Sequence, residues 1–85
     1  KISKERNGEA WFDLAFVYVA QKKYDEAFVS FQKAIEAGSQ AVGASYNNLG
    51  VIYAIKGDLQ KADDKFETAK NLGFTEAETN LAVIR

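Results

Sequence analysis

The chain repeats itself. Laid against itself at a shift of 35 residues, Trp11 falls on Tyr46, Leu14 on Leu49, Ala15 on Gly50 and Tyr18 on Tyr53. The same shift puts Ala27 on Ala62, Phe31 on Phe66, Lys33 on Thr68, Ala34 on Ala69 and Gly38 on Gly73. Size class is kept at nearly every pair, large on large and small on small. A fixed period of this length marks stacked supersecondary units, each too small to bury its apolar face alone. A weaker third copy follows, since Asn80-Leu81-Ala82 echoes Asn48-Leu49-Gly50 after 32 residues.

Each unit reads as two helices. Trp11, Leu14, Ala15, Tyr18 and Val19 follow the i, i+3, i+4, i+7, i+8 spacing of one helical face, and Ala27, Phe31, Ala34 and Ile35 continue that period. The run from Leu14 to Ala20 has the content of a strand, but its copy at 49–55 shows no alternation, so helix is preferred. Gly57 suits the left-handed end of one helix and Asp58 the cap of the next. Gly38 and Gly73 close the second helices in the same way. The turn at Gln21-Lys22-Lys23-Tyr24 lacks Gly, but Asp25 and Glu26 suit the dipole of the helix that follows. Thr75-Glu76-Ala77-Glu78 reads as a capping box opening a fifth helix. The expected map is helices near 9–21, 24–37, 42–56, 59–72 and 76–84, all antiparallel neighbours because the connections are short. Small residues at Ala15, Ala27 and Ala34, and at Gly50, Ala62 and Ala69, allow close approach. Trp11, Leu14 and Tyr18 form the expected core stripe of the first helix.

Composition narrows the chemistry. The 85 residues contain no Cys, His, Met or Pro, and 47% are hydrophobic, enough for one small core. Without Cys and His the usual zinc ligands, thiolate nucleophile and general base are missing. Eleven basic residues against twelve acidic, interleaved along the chain, leave no basic face for nucleic acid. The longest apolar stretch, Leu14 to Ala20, is seven residues, far short of the roughly 20 a membrane span needs. Asp63, Asp64 and Glu67 are balanced by Lys61, Lys65 and Lys70 and read as a solvated face rather than a metal site. Lys1 to Gly8 is no signal peptide, and the missing initiator Met suggests an excised or processed product.

The pattern Trp11-x2-Leu14-Ala15-x2-Tyr18-x8-Ala27-x3-Phe31-x2-Ala34 recurs as Tyr46-x2-Leu49-Gly50-x2-Tyr53-x8-Ala62-x3-Phe66-x2-Ala69. It resembles the tetratricopeptide repeat, matching in type at all seven signature positions in both copies. The usual Pro after the second helix is replaced by Ser39 and Phe74, and the Ala-to-Gly spacing at 34–38 and 69–73 is similar to Sel-like repeats. The resemblance implies an all-α fold, a right-handed superhelix of antiparallel hairpins with about five helices. It implies one domain over 1–85, with repeat 1 near 8–41, repeat 2 near 43–75 and a C-terminal helix near 76–84.

In that family the first helices line a concave groove that binds peptide. Carried over by position, the groove would contain Glu9, Phe12, Asp13, Phe16, Val19 and Ala20 from the first unit. The second would give Ala44, Asn47, Asn48, Val51, Ala54 and Ile55, and the last helix Glu76, Thr79, Asn80 and Val83. Phe12, Phe16, Val51 and Ile55 lie off the expected core stripe and yet are apolar, which a fully solvated face would not carry. The expected ligand-binding set is Phe12, Phe16, Val19, Asn47, Asn48, Val51 and Ile55, with the Asn side chains bonding a ligand backbone. Asn48 has a second reading, as a side chain that bonds its own helix. The apolar stripe also has two others: cover by a further repeat or helix of a parent protein, and self-association into a homo-oligomer. Capture of a chaperone's C-terminal carboxylate is disfavoured, because Phe12, Phe16 and Glu76 stand where cations or Asn would be needed. The expectation is a non-enzymatic module for a protein or peptide with an apolar segment. No cofactor, metal, nucleic acid or membrane insertion is expected, and a spacer within a larger helical-repeat protein is the alternative. Cytoplasm and periplasm both suit a Cys-free chain.

Overall fold

A computed structural model describes residues 4–85, and every element among them is a helix. They are α1 (Lys4–Ala20), α2 (Tyr24–Glu36), α3 (Val42–Ile55), α4 (Leu59–Asn71) and α5 (Glu76–Ile84). Four begin within a residue of the expected map, whereas α1 starts at Lys4 rather than near residue 9. Nothing in Lys4-Glu5-Arg6-Asn7 resists a helix, so the apolar pattern marked where burial begins and not where the helix does.

The connections span three to five residues and fold each helix back on the last. Within the first pair, Tyr18 near the end of α1 borders one recess with Asp25 and Glu26 at the start of α2, while Lys33 near the end of α2 lies over Trp11 midway along α1, its Nζ 5.3 Å from the ring centre. Between pairs, Phe28 near the start of α2 meets Tyr53 near the end of α3 edge-to-face at 5.0 Å. Both pairings are antiparallel. The main packing of each helix is with its chain neighbours, giving an elongated stack of 44 × 27 × 16 Å.

Two buried clusters follow the two pairs. The first joins Ala15, Ala27 and Phe31 to Leu49 and Ile52, and the second joins Ala62, Phe66 and Ala69 to Ala77 and Leu81. Tyr46 packs against both. The small residues therefore sit where helices meet, as their spacing implied, and Leu81 of the third copy covers the second pair. The stripe expected on α1 is displaced in part. Trp11 and Leu14 are only half-buried and lie outside both clusters, while Tyr18 packs against the first as expected and Phe12 does so too. The physical reason is the stacking order: the face bearing Phe12 and Ala15 turns toward α3, and the face bearing Trp11 and Leu14 turns away from it.

The turns are built largely as read. Gly38, Gly57 and Gly73 all take positive φ. Asp58 caps α4 by accepting the Lys61 N–H at 3.1 Å. Lys22, at φ 61, takes the left-handed conformation that Gly57 takes in the second unit. The capping box does not form: Thr75 is already helical (φ −67, ψ −24) and its side chain caps nothing. The chain enters α5 through a tight turn instead, with the Ala77 N–H donating to the Phe74 carbonyl at 3.1 Å. Ser39 and Phe74 receive close approaches from Gly8 and Gly43. A Cβ at Gly8 would lie 2.8 Å from the Ser39 nitrogen, and one at Gly43 3.1 Å from the Phe74 Cβ.

Candidate functional site

The first helices of the units carry the candidate binding face. In the repeat register Phe16, Val51 and Val83 are equivalent positions on α1, α3 and α5, so each unit presents one apolar side chain in the same place. Phe16 is exposed, Val51 half-buried and Val83 79% exposed. Ile55, one residue beyond the equivalent of Val19, is 53% exposed. Side chains this apolar and this accessible are unusual unless something covers them.

Between α3 and α5 these residues converge. Val51, Ala54 and Ile55 with Asn80, Val83 and Ile84 line an open recess of about 280 Å³, with the Phe66 ring also bordering it. Asn80 Nδ2 donates to Asn47 Oδ1 at 2.8 Å, which fixes α5 against α3 along the rim. The Asn47 amide nitrogen has no hydrogen-bond partner among the described residues. Asn48 Nδ2 donates to the Ala44 carbonyl of its own helix at 3.0 Å, so its donor is already engaged.

The α1 side of the face is aromatic. Phe16 meets Phe12 at 5.0 Å and the buried Phe31 at 5.5 Å, both edge-to-face, and Phe12 meets Phe31 at 5.8 Å. Edge-to-face pairs of this kind contribute about 0.5–1.5 kcal/mol each beyond area burial. Phe12 and Val19 are half-buried against the first cluster and form the floor, with Phe16 as the accessible ring. Thus Phe16, Val51, Ile55 and Asn47 present atoms to the face. Phe12, Val19 and Asn48 serve mainly the fold beneath it.

Glu9, placed in the groove by position, has a different task. Its carboxylate accepts from the Gln40 N–H at 2.9 Å and from Ser39 Oγ at 3.3 Å. Ser39 Oγ in turn accepts the Ala41 N–H at 3.0 Å. Glu9 therefore ties α1 to the loop that opens α3, whose own N-cap residue, Ala41, has no side-chain acceptor. Sequence reasoning missed this link, since nothing in a 30-residue separation announces it.

The distinct charge cluster lies on the α4–α5 side. Arg85 Nε donates to Asp63 at 2.8 Å and its Nη2 to Glu67 at 2.7 Å. Hydrogen bonds from the Arg85 guanidinium hold both carboxyls below their ordinary range. The cluster is an exposed clamp between helices.

A family model described as tetratricopeptide repeat matches residues 7–73, while no curated protein matches the chain significantly. That span takes in nearly all of both helical pairs, the glycine-closed turns and the first core cluster, and stops short of Ala77 and Leu81, which complete the second from α5. Its members are repeat modules of protein–protein interaction, and on this match the chain belongs to the tetratricopeptide repeat family.

Proposed function

We propose that the face shared by α1, α3 and α5 binds an apolar segment of a protein partner, and that the chain does this without catalysing a reaction. The observation that carries the reading is the row of accessible apolar side chains, Phe16, Val51 and Val83 with Ile55, at corresponding positions of successive units. The recess of about 280 Å³ between α3 and α5 has room for one aliphatic or aromatic side chain of a ligand. Asn47, whose amide nitrogen has no hydrogen-bond partner among the described residues, can bond a ligand carbonyl. Glu9, Asp13 and Glu76 border this face without any Lys or Arg among the matched positions, which favours an apolar segment over an anionic chain end.

The test uses Ile55→Glu and Val83→Glu, because both side chains are more than half exposed and neither belongs to a buried cluster. A partner isolated by affinity capture and then purified should bind the wild type and lose at least about tenfold in affinity to each variant, since each buries an unpaired charge. Circular dichroism should show unchanged helicity. Undiminished binding by both variants would remove the groove from the reading.

A further inference from the structure

We infer that the segment bound on the face of α1, α3 and α5 is cationic as well as apolar: a stretch of another protein that sets a Lys or Arg about three residues from its apolar anchor. This rests on the reading of that face as a binding surface. Along the chain the two signs of charge are interleaved, but in the fold they part. The repeat register arranges the face in rungs, each with one residue from α1, α3 and α5. Phe16, Val51 and Val83 make the apolar rung. Three residues earlier on each helix stand Asp13, Asn48 and Asn80, and four earlier again Glu9, Ala44 and Glu76. These two rungs hold three carboxylates and no Lys or Arg.

The described cations are engaged elsewhere. Lys33, Lys61 and Lys65 reach from α2 and α4 over the rings of Trp11, Tyr53 and Tyr46. Lys56, Lys70 and Arg85 pair with carboxylates of α2 and α4. Lys22 and Lys23 stand in the turn beyond the far end of α1. Asp13 and Glu76 are exposed, and among the described side chains neither has an ion-pair partner. Glu9 accepts only from neutral donors, so it keeps its charge uncompensated. Carboxylates without counter-ions beside accessible apolar side chains attract a ligand of opposite charge and repel an acidic one.

The spacing gives the ligand its pattern. Seven residues of helix separate Glu76 from Val83, and a rise of about 1.5 Å per residue sets the two rungs roughly 10 Å apart. An extended chain rises about 3.3 Å per residue, so roughly three residues bridge them. A continuation of the stack would not fill this face. Each helix packs mainly on its chain neighbours, so a further helical pair at either end adds to the row of first helices and lengthens the face without covering it. The family consists of protein–protein interaction modules, and the occupant is accordingly a second protein.

The probe is a phage-displayed library of random nonapeptides, selected on the full chain. The selected peptides, resynthesised with a fluorophore and titrated at low salt, should carry a Lys or Arg about three residues from an aromatic or branched aliphatic residue. The double variant Asp13→Asn/Glu76→Gln should weaken them about tenfold, each exposed ion pair being worth up to roughly fivefold. Peptides with the cation replaced by Ala should bind wild type and double variant alike, and added salt should narrow the difference between them. Ile55→Lys should abolish binding of every peptide, and circular dichroism should show unchanged helicity for both proteins. Selected peptides without basic residues that still lose binding to Ile55→Lys overturn the cationic ligand and leave the groove standing. Basic peptides indifferent to Ile55→Lys and to the double variant refute both. A library that yields no saturable binder overturns the proposal. Self-association that the double variant abolishes, or displacement of the selected peptides by a synthetic peptide of residues 1–6, overturns it by making the occupant this chain itself.

Discussion

The turns inside the two helical pairs use one backbone with two sequences, and exchanging them gives a stability prediction. Lys22 has φ 61 where Gly57 has φ 88. Lys23 (φ −92, ψ 75) and Asp58 (φ −93, ψ 79) are superimposable in conformation. The closing hydrogen bonds correspond as well. Lys22 N–H reaches the Val19 carbonyl at 2.9 Å and Lys23 N–H that of Tyr18 at 2.8 Å; Gly57 and Asp58 make the same bonds at 3.0 and 2.9 Å. What differs is chemistry. A left-handed non-glycine costs about 1–2 kcal/mol, and the greater freedom of Gly in the unfolded chain returns part of that, so Lys22→Gly should gain about 0.5–1 kcal/mol. Lys23 caps nothing, whereas Asp58 accepts the Lys61 N–H. Lys23→Asn would offer the Glu26 N–H the same acceptor, worth about 1 kcal/mol, without adding charge beside Asp25 and Glu26. The double variant should therefore gain about 1.5–2 kcal/mol, a rise in Tm of roughly 10 °C for a domain this small. Thermal and urea unfolding followed by far-UV circular dichroism measures both numbers, and the urea m-value should not change. A double variant that melts at or below the wild-type temperature, with α2 intact by NMR, would refute the reasoning from the repeat.

Two further outcomes are expected. Gly50→Ala would set a Cβ 2.6 Å from Cε1 of the buried Phe66 ring; overpacking of about 1–3 kcal/mol should outweigh a helix-propensity gain of about 1 kcal/mol, so the variant should unfold at lower urea than the wild type. The Arg85 clamp should be acid-labile: Asp63 and Glu67 have folded pKa values below their unfolded ones, so its contribution is complete above the ordinary carboxylate range and is lost as pH falls below about 4. Amide hydrogen exchange in α5 should accelerate across that window, and Arg85→Gln should remove the pH dependence.

The repeat made the helices legible because each ambiguous segment had a copy to arbitrate it. Gly57 and Asp58 were readable for a related reason: their conformational preferences are local and depend on no distant partner. The misassigned features are those decided at a distance. Trp11 and Phe12 are adjacent on α1, and a helical period cannot say which of two neighbouring faces the next hairpin will cover. Thr75 and Glu78 have the letters of a capping box, but Phe74 had already set the entry to α5. Among the expected binding residues, Phe16, Val51 and Ile55 remain accessible in part because they lie beside the seam between units. Glu9 was taken up by groups 30 and 31 residues away that sequence spacing does not reveal, whereas the bond of Asn48 to its own helix was one of its two readings.

The stack packs mainly between chain neighbours, and that arrangement governs how it forms in time. Among the described residues no strand must find a distant partner, and the longest connection joining consecutive helices is five residues. Loop-closure entropy is therefore small at every step, the condition under which helical proteins fold in microseconds to milliseconds. Either hairpin can nucleate, and the other then adds across the seam where Phe28 meets Tyr53. That aromatic contact is one of several across the seam, beside Leu49 and Ile52 buried against Ala27 and Phe31, so weakening it should lower the coupling between the two halves while the shared cluster still holds them together.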